Sequence, residues 1–229
     1  AVLRDPIDLD RCVDIAIQIA DGLVAAHAAG IIHRDLKPAN VMIEPAAWPK
    51  DGVRPRVRIL DFGLAKVVHG EHMTTGLTEH DMIFGTPEYM SPEQARGDDL
   101  DARCDIYAAG VMLYEMLIGR VPISGDNYTP LMSRVMMSEY TPPRQLRPEI
   151  PEQLEQLIVH AMASDPAHRP GSADEFERAL LGFCRPTFRD NTIERISAQQ
   201  MGGFSPAFTP PPMSRSGLGP PALGTAQTV

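Results

Sequence analysis

The chain has 229 residues, 43% of them hydrophobic and 22% charged, with a formal net charge of −9 at pH 7. That length allows one large domain or two small ones, and the composition is ordinary for a soluble globular protein. An acidic excess of this size argues against nucleic acid or an anionic membrane surface as a main partner.

Residues 8–30 carry Val13, Ile17, Ala20, Val24 and His27/Ala28 at helical spacing, which predicts a helix with Asp10 as N-cap and Gly30 as its stop. The "IIH" that follows (31–33) reads as a short buried run. "NVMIE" and "VRVRILDF" are β-branched runs on either side of the turn-rich "PAAWPKDGVRP", a pattern that predicts a small hairpin. Residues 64–92 have little period and many turn formers, so they read as a long loop. From Asp101 to about Cys184 the pattern is helical, broken at "TPPRQLRPEIP" and "SDPAHRPGS". Residues 106–119 are the most apolar stretch; they include Glu115 and are too short to span a bilayer, so they predict a buried helix. The start of the chain lacks the basic head and apolar core of a secretory signal. Residues 201–229 hold six prolines, five glycines and one charge, Arg215, a composition that predicts disorder. The expected organisation is therefore one domain over 1–184 and a Pro/Gly-rich disordered tail over 185–229. Cys12, Cys104 and Cys184 are far apart and odd in number, as for reduced thiols of a cytoplasmic protein.

The chemistry is concentrated in "HRDLKPAN" (33–40). A phosphoryl transfer needs a group to orient or deprotonate the attacking hydroxyl, positive charge near the moving phosphate, and oxygen ligands for magnesium. Asp35, Lys37 and Asn40 can supply those three needs from one loop. Magnesium favours a few oxygen ligands beside phosphate oxygens, which suits Asn40 together with Asp61 at the end of the second strand. Gly63 then lets the backbone turn sharply after that ligand. The "HGEH" at 69–72 has no third partner at metal-ligand spacing and reads as a solvated stretch.

In order, "HRDLKPAN", "DFG", "GTPEYMSPE" and "DIYAAG", with an arginine at "HRP", resemble the C-terminal lobe of a eukaryotic-type protein kinase over residues 8 to 184. "GTPEYMSPEQARG" and Lys37 are similar to the bacterial serine/threonine branch. The resemblance implies a mainly α-helical large lobe with a small β-hairpin beside the catalytic loop. It implies ATP and Mg²⁺ as cofactors and proteins bearing Ser or Thr as substrates. Asp35 would accept the substrate proton, Lys37 would neutralise the γ-phosphate, and Asn40 and Asp61 would hold the metal. Thr86 would bond near Asp35 and select Ser or Thr, and Met42 would lie beneath the adenine. Glu93 would pair with Arg169, Asp105 would brace the backbone at His33 and Arg34, and His33 would stack with Phe62. Arg34 beside the catalytic aspartate would receive a loop phosphate, from Thr78 first and then Thr75 or Thr74.

The same resemblance implies parts that have no match here: a Gly-rich loop, a lysine on a third strand and its partner glutamate. The N-terminal β-lobe is therefore expected to be absent from this chain, which would hold the floor of an ATP site without its roof and be inactive alone. The covering half would come in cis from a longer kinase or from a separate partner. A free-standing half-kinase that serves as a binding or scaffold module is the alternative, and a helical interaction module without nucleotide chemistry a third. Retention of Asp35, Lys37, Asn40 and Asp61 together favours the first. Phosphopeptide mapping of an active preparation is expected to find Thr78 modified, and a mapped active sample with Thr74, Thr75 and Thr78 all bare would overturn the loop-phosphate reading.

Overall fold

The computed structural model describes residues 8–44, 56–62, 87–125 and 127–184. These all belong to one of the two units into which the chain divides, Ala1–Asp190; the second, Asn191–Val229, contains none of them.

Helix α1 (Leu9–Ala28) begins the fold, and every residue from Cys12 to Ile17 is buried. Its neighbours are helices α3 (Arg103–Ile118) and α7 (Ala173–Leu181) and strand β2 (Val57–Ile59). The cap is Asp8, with Asp10 in the first turn, so the predicted N-cap shifts by two residues. An acid in that turn still faces the positive end of the helix dipole. Gly30 takes φ 73°, the left-handed turn that frees the chain from the helix. The "IIH" run is not buried throughout. Ile31 is 43% exposed, while His33 is buried, because the segment runs along the edge of the helical core with one side to solvent.

Strand β1 (Val41–Ile43) pairs antiparallel with β2, in the register Val41↔Ile59 and Ile43↔Val57. A ladder this short is not stable by itself. It is held down on α1, where Gly22 allows the approach: a Cβ there would stand 2.9 Å from Ile59 Cδ1. Gln18 of α1 also accepts a hydrogen bond from the Val57 backbone at 3.1 Å, so the strand end is tied to the helix as well as packed on it.

The stretch 64–92, expected as loop, contains a 3₁₀ turn (Pro87–Tyr89), and the short helix α2 (Pro92–Arg96) starts at its end. The helix starts because Gln94 Oε1 accepts from the Ser91 backbone, and it ends at Gly97 with φ 72°. Helix α3 is buried on all sides, as its uniform apolarity predicts. Helices α5 (Pro143–Leu146) and α6 (Glu152–Ala161) pack on it, α4 (Tyr128–Met136) packs on α2 and the 3₁₀ turn, and α5 falls within the stretch read as a break. Among the described residues, no helix is long and apolar enough to cross a membrane. No disulfide joins the three cysteines, and burial pushes the Cys12 thiol up to about 12.

Close packing of α3 on α6 depends on Gly110, where a Cβ would lie 2.8 Å from Ala161 Cβ and 3.1 Å from Met162 Cγ. Gly110→Val is expected to lower stability by about 1–3 kcal/mol through overpacking, despite the better helix propensity of valine. Urea unfolding of the two proteins checks this, and an unchanged midpoint would contradict it.

Candidate active site

The loop between α1 and β1 is built around one buried carboxylate. Asp105, near the start of α3, is 1% exposed. Its Oδ2 accepts from the His33 backbone at 2.8 Å and its Oδ1 from the Arg34 backbone at 2.8 Å. A third bond comes from His27 Nε2 at 2.8 Å. Arg34 needs this support because its φ is 68°, a left-handed value that costs a non-glycine residue about 1–2 kcal/mol. Both of its backbone polar groups are held: Asp105 takes the N–H, and Gln94 Nε2 donates to the carbonyl at 2.6 Å.

His33 then links this loop to the hairpin. Its Nε2 donates to the Leu60 carbonyl at 2.9 Å, and its Nδ1 accepts from the Asp35 backbone at 3.3 Å. A carbonyl can only accept, so these two bonds fix the tautomer with the proton on Nε2. Phe62 meets the same ring edge to face, with centroids 5.0 Å apart. Leu60 N also donates to the Asn40 carbonyl at 2.8 Å, which brings Asp61 beside Asn40. Asp61 has φ 57°, a second left-handed non-glycine position, one residue beyond the Leu60 that His33 holds; Ser138, with φ 52°, is the other one described. Backbone strain of this kind is common at functional sites.

The polar side chains gather at the surface of this frame. Lys37 Nζ bonds both carboxylate oxygens of Asp35, at 3.0 and 2.8 Å. Asn40 Nδ2 donates to the Asp35 carbonyl at 2.8 Å and to Asp35 Oδ2 at 3.2 Å. Asp35 keeps a side-chain exposure of 48%, so the cluster faces solvent while its backbone is held from below. Met42 and Ile43 on β1 and Leu60 after β2 are 44%, 45% and 36% exposed, an unusual display of large apolar side chains beside a polar cluster.

A second buried charge group lies below α2. Arg169 NH1 and NH2 bond Glu93 Oε1 and Oε2 at 2.6 and 2.7 Å. The guanidinium is otherwise used up by the carbonyls of Ala163, Arg103 and Ser164, and it stacks 5.0 Å above the Tyr107 ring. Burial pushes the Glu93 carboxyl up, but the Arg169 hydrogen bonds and charge, with backbone and Ser91 donors, bring it below its ordinary value. One turn earlier, the Tyr89 hydroxyl donates to Glu115 Oε2 at 2.6 Å, which ties the 87–90 segment to α3.

A single described constellation thus contains His33, Arg34, Asp35, Lys37, Asn40, Asp61, Phe62 and Asp105, and the Glu93–Arg169 pair supports it. Gly63, Thr74, Thr75, Thr78 and Thr86, like the "HGEH" stretch, lie outside the described residues. Sequence reasoning missed His27 and Gln94. His27 was counted with the apolar face of α1, although a ring nitrogen at such a position needs a partner. Gln94 carries no signal beyond following Glu93.

A model of the protein kinase domain matches residues 2–201. The chain belongs to the protein kinase family. Within it, the similarity is to the bacterial serine/threonine kinases of eukaryotic type. The kinase pkn3 of Myxococcus xanthus is 39% identical over 203 residues, which are 88% of this chain and 36% of that protein. A probable kinase PknB of Bifidobacterium longum is 37% identical over 172 residues, 75% of this chain and 24% of the relative. The chain therefore spans about a quarter to a third of the length of these relatives. Among solved structures, Rad53 1-466 in complex with AMP-PNP matches 76% of this kinase chain and 40% of its own, with 27% identity and a TM-score of 0.58.

The Glu93–Arg169 pair generates a prediction with a pH sign. Arg169→Met leaves a buried carboxylate without its partner and is expected to cost about 3–5 kcal/mol at pH 7. A carboxyl lowered in the folded state stabilises above its unfolded value, 4.5, and that stability is lost as pH falls through the folded value. The penalty of Arg169→Met should therefore shrink in acid below pH 4.5, as urea unfolding at pH 7 and pH 4 would read. An equal penalty at both would contradict it.

Proposed function

We propose that this chain carries the phosphoryl-transfer machinery of a serine/threonine protein kinase that moves the γ-phosphate of ATP to Ser or Thr hydroxyls of proteins. The observation behind this reading is the convergence of Asp35, Lys37, Asn40 and Asp61 on one loop–hairpin junction whose backbone is fixed from beneath by Asp105.

Asp35 is the group that orients the acceptor hydroxyl and takes its proton, which requires a carboxylate at the solvent edge of the site. Lys37 now neutralises Asp35, and the same ammonium can reach a phosphate oxygen placed between them. The donor set fits magnesium. The Asn40 amide nitrogen is engaged by Asp35, so its carbonyl oxygen is the group left to coordinate. Asp61 adds a carboxylate that no described residue ties down. Magnesium bound there would neutralise phosphate charge as the γ-phosphoryl group departs. Met42 provides an apolar floor for the adenine, and Thr86 selects the acceptor hydroxyl beside Asp35. In this reading, groups that cover the phosphates are supplied in cis by a longer chain or by a partner.

Arg34 is the candidate receiver for a phosphate on Thr78, Thr75 or Thr74. Its Nε is buried without a hydrogen-bond partner among the described residues, and a guanidinium so placed suits a phosphate oxygen, which adds charge and three acceptors.

The test is made in the complete native kinase, after its intact mass has been compared with 25.1 kDa, the mass of this chain. Asp35→Asn is expected to lower kcat by about 10²–10⁴ with nucleotide affinity changed only a few-fold. Phosphate transfer at the wild-type rate by Asp35→Asn would sink the assignment.

A further inference from the structure

Helix α7 packs mainly on α1 and buries Ala173, Phe176, Glu177 and Leu180. Three of these are apolar, and the fourth is a glutamate. Glu177 is only 4% exposed, and its Oε1 has no hydrogen-bond partner among the described residues. A buried carboxylate with one oxygen left unpaired is costly to keep ionised, because that oxygen loses hydration without gaining a hydrogen bond.

Its electrostatic surroundings make the cost larger. Among the described residues, Asp21 of α1 and Asp174 of its own helix act on it with like charge, and Arg178 is the opposing cation. That cation is already paired with Asp174. Helices α3 and α6 also touch α7, but Arg103, Asp105, Glu115, Glu152, Glu155 and His160, which they carry, do not figure in the balance at Glu177.

We propose that Glu177 is a proton-operated latch between α7 and α1: it seats in the interface as the neutral acid, and release of its proton to solvent leaves an unpaired charge there that loosens the packing. No other group has to move for this to work. The latch on α7 rests against α1, the helix that also carries His27 to Asp105, so a loosened seat acts on the frame beneath the catalytic loop through α1. Burial first, then Asp21 and Asp174, push the Glu177 carboxyl up to about 7 from an ordinary 4.5. A carboxyl raised in the folded state contributes stability that is complete below 4.5 and is lost as pH rises towards 7. The switch therefore operates between mildly acidic and neutral pH, and it weakens the fold on the alkaline side.

Two measurements on the full chain test this. Urea unfolding from pH 5 to pH 8.5 compares wild type with Glu177→Gln, which keeps size and polarity but cannot ionise. The ratio of their folding equilibrium constants is expected to shift by about two orders of magnitude across this range, in favour of Glu177→Gln at high pH. Parallel pH profiles would overturn the latch. Should Glu177→Gln fail to fold, the carboxyl ¹³C shift of Glu177 in the wild type decides. A midpoint near 7, lowered by Asp21→Asn, is expected, and a midpoint at 4–5 would overturn the proposal.

Discussion

The carboxylate of Asp105 is the constraint on which this site depends. It sits near the first turn of the most buried helix and binds the backbone of two consecutive residues in a loop more than seventy positions earlier. One of them, Arg34, is in a conformation that an isolated chain would avoid. Charge-assisted bonds in a buried setting are about twice as strong as neutral ones, enough to hold a strained peptide in place. The strain is useful because it turns the chain sharply, so that Asp35 leaves the core while His33 stays within it.

From that anchor the arrangement extends by short links. His33 ties the loop to the hairpin through Leu60, Leu60 ties back to Asn40, and Asn40 holds Asp35. The links form a closed ring of main-chain and side-chain bonds in which His33, Leu60, Asn40 and Asp35 are each fixed by another. A ring of this kind orients groups without burying them. The side chains that meet the nucleotide and acceptor in our reading can be solvent-exposed and still well positioned, and this preorganisation is what electrostatic catalysis requires.

The Glu93–Arg169 pair plays a similar part on the other side of the loop. Its net stability is doubtful, since desolvation offsets much of the attraction. Its geometric effect is plain: two parallel hydrogen bonds and three carbonyl contacts fix α2 against the late helices. Helix α2 in turn presents Gln94 to the Arg34 carbonyl. The buried pair therefore reaches the same strained residue as Asp105 does, from the opposite direction.

Much of this protein could be read from local sequence. The hairpin and the buried helix at 106–119 follow from period and β-branching, which are properties of neighbouring residues, and the kinase motifs were legible through their resemblance to the family. Asp105 and Arg169 were legible as partners of the loop only because the resemblance names them. Residues such as His27, Gln94 and Gln18 were not legible at all, since each acts across a separation that periodicity cannot see. The sequence also misplaced the first cap by two residues and took the exposed Ile31 as buried, because the pattern of apolar residues does not say which side of a segment meets the core. Composition and motif determined what chemistry the chain can carry. Tertiary packing alone decided which backbone is strained, which carboxylate braces it, and that Glu177 lies in a helix interface, because desolvation and long-range hydrogen bonds exist only once the helices have met.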